Sequence, residues 1–166
     1  MVMMRILCET GDHVDLPVDT LVGAALHNLN LHRALLEGAD LSGAKLVGTD
    51  LRSAWLCGAK FDAADLRDAR LPACNAEAAS FAGADLRGAM MRAGIFFGAN
   101  FLGANLADAN VGGAQLQGAC LAGADMRCIA LHSAELAGAT ADARTKWPEG
   151  FDPAARGVSV VDSPER

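Results

Sequence analysis

Tyrosine is absent from the 166 residues and tryptophan occurs only twice, so a broad core built on large aromatics is excluded. Ala, Gly and Leu dominate instead, which points to a narrow interior lined by small and medium apolar groups. Cysteine is sparse and odd in number: Cys8, Cys57, Cys74, Cys120 and Cys128 stand apart with no C-x-x-C pair. That pattern argues against a disulfide framework and for free thiols in a reducing compartment. No apolar run approaches the roughly 18 residues that span a bilayer, and the first ten residues lack the long apolar stretch of a secretory signal. The expectation is a soluble, cytoplasmic chain with no membrane partner.

Positive charge is also in short supply, with 14 Lys and Arg against 20 Asp and Glu and a formal charge of -6. Residues 24–143 carry nine basic and twelve acidic side chains, residues 1–23 carry Arg5 against Glu9, Asp12, Asp15 and Asp19, and the remainder balances. With no basic stripe to release counterions from phosphates, direct nucleic-acid binding is not expected.

What the chain does have is repetition. Starting at Leu26 and stepping by five gives twenty-four centres ending at Ala141, of which twenty-one are Leu, Phe or Met. Ala stands two residues before nineteen of them, the exceptions being Leu29, Thr49, Cys74, Gly94 and Ile129. The two positions keep one register without an insertion. A period of five suits neither a helix, whose successive centres would spiral around the axis, nor a straight strand, whose face would flip at each odd step. The chain must turn once per repeat, with the centre and the preceding Ala pointing inward and the other three positions outward.

Spacing of like residues sets the size of a coil, because identical residues tend to stack in a solenoid. Phe61, Phe81 and Phe101 are twenty apart, and Asp65, Asp85 and Asp125, like Arg67, Arg87 and Arg127, fall on multiples of the same spacing. Four repeats per coil predicts a square tube with a Phe stack on one face and Asp columns beside Arg columns on the next. Six coils at the usual inter-strand spacing would make it roughly 29 Å long. Gly recurs two residues after the centre, where a corner must be turned. Centre Ala76 is small, but Cys74 replaces the Ala before it, a pair of swaps that conserves volume. Pro72, lacking an N–H, is expected to cost one coil-to-coil hydrogen bond.

The motif Ala-(Asp/Asn)-Leu-x-Gly, tandem over about 120 residues, as in Ala39-Asp40-Leu41-Ser42-Gly43, resembles the pentapeptide repeat proteins. The resemblance implies an all-β fold, a right-handed quadrilateral β-helix, here of about six coils. It implies shape far more than activity. One branch of that family resembles duplex DNA in shape and charge and binds DNA gyrase, protecting it from quinolones. Against that reading here stand the nearly neutral body, the Arg interleaved with its acidic columns, and the absence of a loop projecting from the register.

A solenoid exposes unpaired backbone at both ends, so caps are expected. Three regions follow: a capping hairpin over residues 1–23, the solenoid over 24–143, and a cap with a loose tail over 144–166. In the first, Met3 to Cys8 and His13 to Val18 read as strands joined through Thr10-Gly11-Asp12. In the last, Trp147 and Phe151 are expected to plug the final coil, and residues 157–166 to be loosely held.

Catalytic chemistry finds little support. His13, His27, His32 and His132 do not converge, Cys120 and Cys128 lack partners at zinc-ligand spacing, and the glycines are periodic corners rather than a phosphate loop. Neither a cofactor, a metal nor an enzymatic activity is expected. The Asp and Arg columns read as weak pairs between rungs that keep the surface soluble. One face differs: Leu35, Trp55, Cys57, Ile95 and Phe97 stand where other faces carry polar side chains, with Leu102 on the adjoining face. A Trp and a Phe on one flat strip suit a binding patch. The sequence therefore predicts a non-catalytic binding or scaffold module whose partner is an unidentified protein or a second copy of the chain, with gyrase as the alternative.

Overall fold

The computed structural model describes residues 2–162. From residue 25 onward, parallel bridges recur at every fifth residue and join it to the residue twenty further on, as in Ala25 with Lys45, Asn30 with Asp50, Leu35 with Trp55 and Asp40 with Lys60. One turn of the ladder thus takes four repeats, as the Phe spacing predicts. Each flat side is a single bridged residue wide, because a β-turn follows immediately.

Every backbone donor of a regular repeat is accounted for, as burial requires. In the repeat centred on Leu41, the Leu41 N–H donates up to the carbonyl of Lys60 (2.7 Å) and the Gly43 N–H to that of Asp62 (2.8 Å). The next repeat's Lys45 N–H donates down to Ala24 (2.9 Å), and the Ala44 N–H closes the turn on Leu41 (3.0 Å). The fifth donor, Ser42 N–H, goes to the side chain of Asp40 (3.0 Å). That fifth bond explains the Asp or Asn before the centre, which caps its own turn. Asn30, Asp50, Asn75, Asn100, Asn105 and Asn110 do the same.

The same accounting corrects the expectation for Pro72. Its position donates to a side chain and not to the next coil, so no ladder bond is lost, and its carbonyl still accepts from Ser53 N–H at 3.0 Å. The second residue of a turn is also where the fixed φ of proline fits best. The third residue of the turn has positive φ in every repeat up to Gly123, 66° at Gly43, and nine repeats place a non-glycine there, among them Ala63, Ala73, Ala78 and Ala93 at 54–56°.

The centres and their preceding small residues form one continuous core. Phe61, Phe81 and Phe101 stack with centroids 5.1 and 5.0 Å apart and planes within 6°. Phe96 meets Phe81 and Phe101 from the adjacent side at 5.9 and 5.8 Å, tilted by 65° and 60°. Its ring explains Gly94: a Cβ there would lie 2.5 Å from Phe96 Cε2. A large centre thus removes its own small neighbour, the reverse of the swap at Cys74 and Ala76, both fully buried. Thr49 is buried in an Ala position without cost to its hydroxyl, which donates to the carbonyl of Leu26 at 2.6 Å.

The unbroken register read from the sequence does not survive near the C-terminal end. Asn110 pairs with Ile129, nineteen residues on, whereas Gln115 pairs with Glu135, twenty on, and Asp125 with Lys146, twenty-one on. A four-residue step is followed by a six-residue step that includes a short 3-10 helix, Leu131–Ser133, entered through Ala130 at φ 60°. A further residue is added between Thr140 and Lys146. Ile129 cannot occupy a slot sized for Ala, and the chain slips to leave it 53% exposed.

Two different structures close the ends. Strands β1 (Met4–Leu7) and β2 (His13–Leu16) pair antiparallel, and beyond β1 the bridge of Cys8 with Ala34 lays the hairpin along the first coil. Ile6, Cys8 and Leu16 are buried there. At the other end β3 (Thr140–Ala141) pairs in parallel with β4 (Ser159–Val160). Residues 157–161 are therefore held rather than loose: Ser159 and Val161 N–H donate to Ala139 and Ala141 (2.9 and 2.8 Å), and Val158 is buried. Of the rest of the tail expected to be loose, Asp162 is exposed and residues 163–166 lie outside the described residues.

Candidate interaction face

The face singled out in the sequence follows two columns of the ladder. Leu35, Trp55, Asn75, Ile95 and Gln115 succeed one another by direct bridges, so Trp55 and Ile95 are separated by an amide. In the neighbouring column Cys57 and Phe97 sit two coils apart with Glu77 between them. The apolar strip is therefore interrupted by polar side chains. Leu35 is 40% and Trp55 38% exposed, Ile95 and Cys57 less so, while Phe97 and Leu102 stand out furthest at 52% and 44%. Phe97 and Leu102 each take the second place of a turn in consecutive repeats, on the two corners that bound the side carrying Asn100. The turn that presents Leu102 is pinned by Asn100, whose carboxamide oxygen accepts the Leu102 N–H at 3.0 Å.

Trp55 is committed elsewhere. Its indole N–H donates to the Glu9 carboxylate at 2.9 Å, and the same oxygen accepts from Arg33 at 3.0–3.2 Å. The Trp55 bond, with Arg33 after it, holds the Glu9 carboxyl below the ordinary carboxylate range. Glu9 was missed in the sequence, where it counts as one more surface charge. The two residues lie 46 apart in the chain, a separation that no repeat spacing sets.

The charged columns are neutral by construction. Each Asp of an Asp-x-Arg repeat grips the guanidinium two residues on: Asp65 with Arg67, Asp85 with Arg87 and Asp125 with Arg127, through two bonds of 2.6–2.9 Å. The pairing expected between rungs is reduced to Arg67 with Asp85 at 3.9 Å. These bonds keep Asp65, Asp85 and Asp125 below the usual aspartate range, the arginine hydrogen bond being the largest cause in each. Because each carboxylate is held bidentately and also caps a turn, the column offers a partner little free negative charge.

Near the C-terminal end the polar contacts turn inward. The Asp142 side chain is 2% exposed and accepts from Gly123 N–H (3.0 Å), Arg144 N–H (2.9 Å) and the Arg144 guanidinium (2.6 Å). The Arg144 bond leads the causes that bring its carboxyl down to about 2. Thr145 occupies the small-residue slot and donates to the Leu121 carbonyl (2.9 Å), as Thr49 does to Leu26. Trp147 and Phe151, the expected plug, stack at 5.2 Å and pack half-buried against the core, and Arg156 donates to the carbonyls of His132 and Ala134 (2.8 and 2.9 Å). The sequence offers a signal for Thr145 alone, in its place two residues before Trp147.

The five cysteines are free thiols. Burial pushes Cys74 and Cys128 up to about 12, which keeps both as unreactive thiols near neutral pH. Among the described residues no group of three His, Cys, Asp or Glu side chains could hold a metal ion, and no helix is long and apolar enough to cross a membrane.

No curated protein is significantly similar to the chain in sequence. Among solved structures it is similar to HetL, a protein involved in heterocyst differentiation regulation from the cyanobacterium Nostoc (20% identity, 80% of this chain and 85% of that one, TM-score 0.49). It is also similar to Rfr23 from the cyanobacterium Cyanothece (23% identity, 76% and 89%, TM-score 0.40). A third is QnrB1, a plasmid-mediated fluoroquinolone resistance protein (19% identity, 85% and 84%, TM-score 0.44). The sequence profile of pentapeptide repeats matches residues 21–56, 59–96 and 95–128 in eight copies. With that profile over more than half its length, and with a ladder that joins residues twenty apart, the chain belongs to the pentapeptide repeat family.

Proposed function

We propose that this protein is a non-catalytic binding or scaffold module, a cytoplasmic rod whose working surface is the side bounded by Phe97 and Leu102. In this reading the ladder winds as a right-handed quadrilateral β-helix of about six coils, bounded by the caps at residues 1–23 and 144–166. One observation supports the choice of surface: two large apolar side chains, 52% and 44% exposed, stand on the successive corners that bound one side of the ladder, and a turn-capping Asn on that side holds one of them in place. A preorganised pair of this kind loses little side-chain freedom on binding. Trp55 drops from the anchor set because Glu9 already occupies its N–H, and Leu35, Cys57 and Ile95 become flanking surface.

The test compares wild type with a Phe97→Ser, Leu102→Ser variant whose far-UV circular dichroism is unchanged. Affinity capture from the source lysate is expected to yield a partner, or a second copy of the chain, that the variant loses. Equal capture by both chains would reject this side as the working surface. A supercoiling assay run alongside reads the gyrase alternative: inhibition at micromolar protein that persists in the variant would replace the scaffold reading with that one. The paired Asp-x-Arg columns lead us to expect no inhibition.

A further inference from the structure

We infer that the N-terminal hairpin is a latch: Glu9 is its catch, and the hairpin lifts from the first coil as a unit while the repeats stay folded. The hairpin is complete in itself. β1 and β2 pair over four residues each, Arg5 grips Asp15 through two bonds of 2.7 and 2.8 Å, and Thr10 with Asp12 shapes the turn. Its seat on the repeats is shorter. Glu9 N–H donates to the Arg33 carbonyl (2.9 Å) and Leu35 N–H to the Leu7 carbonyl (2.8 Å), and the apolar contact is made by buried Ile6, Cys8 and Leu16 with Met4, Val14 and Val18 partly buried beside them.

Glu9 adds what the backbone seat lacks, a hold on two coils at once. Arg33 lies in the first coil and Trp55 in the second, and both donate to the same carboxylate oxygen. Clefts flank the hairpin turn on both sides. One of about 290 Å³ is lined by Thr10, His13 and His32, and one of about 280 Å³ lies between Glu9, Ser53 and Trp55. Water reaches the seat from either side, the setting in which a small cooperative unit opens below the global unfolding free energy. The exposed link through Asp19 and Thr20, ending at Gly23 with φ 68°, supplies the hinge. Opening uncovers the Leu35 N–H and Arg33 carbonyl, a free β-edge at the start of the ladder, together with the Cys8 thiol, 8% exposed when closed.

Amide hydrogen exchange of the full chain tests the latch, in wild type, Glu9→Ala, Trp55→Phe and the double variant. Each single change is expected to speed exchange at Leu35 about three- to tenfold, the range for a partly exposed charge-assisted bond, while Lys45 and Asp85 in the ladder are unmoved. The double variant should go little beyond Glu9→Ala, which already removes the Trp55 bond together with the bond to Arg33. In a chain with Cys57, Cys120 and Cys128 changed to Ser, Cys8 should react with a thiol reagent faster by the same factor. The latch is overturned if Leu35 exchange is unchanged in the variants, or if it rises in step with Lys45, which would make the hairpin part of one global unit.

Discussion

The regular stack and the final coil solve the same problem in opposite ways. From Leu26 to Met126 each rung repeats a small set of bonds and fills the interior with a centre and a small neighbour. Beyond Ile129 the pairing offset runs through nineteen, twenty and twenty-one, and singular contacts take over: the Asp142 carboxylate, the Thr145 hydroxyl and the Arg156 clamp. Periodic packing needs no particular residue to be irreplaceable except where volumes interlock. An aperiodic closure depends on each bond. Damage should therefore spread through the first region and stay local in the second.

The largest expected effect tests the interlocked volume. Phe81 touches Phe61, Phe96 and Phe101, so Phe81→Ala should cost about 3–5 kcal/mol in denaturant unfolding, with one cooperative transition moving as a whole. A separate early transition would show that the stack is less coupled than its repeat suggests. Next is Thr145→Val, which removes a hydroxyl that donates to Leu121 and accepts from the Asp142 N–H (3.1 Å), at about 1–3 kcal/mol. Amides of residues 138–146 should lose protection while those of 41–61 keep theirs. Thr49→Val, with one bond to lose, sharpens the contrast by costing less. Smallest, and opposite in sign, is Ala78→Gly. Ala78 stands at φ 55°, where a Cβ is unfavourable, so glycine should stabilise by up to about 1 kcal/mol despite its unfolded-state entropy. A loss in thermal melts would mean that the left-handed turn imposes no strain on Ala.

The candidate surface was less legible than the fold. Leu35, Trp55 and Phe97 could be placed on one face from spacing alone, because a period of twenty assigns every residue a column. Spacing cannot say that Trp55 would be claimed by Glu9, since that bond joins a cap outside the repeat to a coil within it. Nor does it separate an exposed Asp from one that caps a turn and holds an arginine. Ile129 was visible as an exception to the Ala rule, but an exception does not reveal whether the core or the backbone will yield.

The sequence by itself determined the period, the inward pair, the four repeats per coil and the Phe stack, because each follows from a local rule applied again and again. Only the tertiary structure decided the register slip at Ile129, the pairing of β4 with β3, the inward turn of Asp142 and the hold of Glu9 on Trp55. These are contacts between segments that share no repeat, where one shape must meet another in space and no period foretells the meeting.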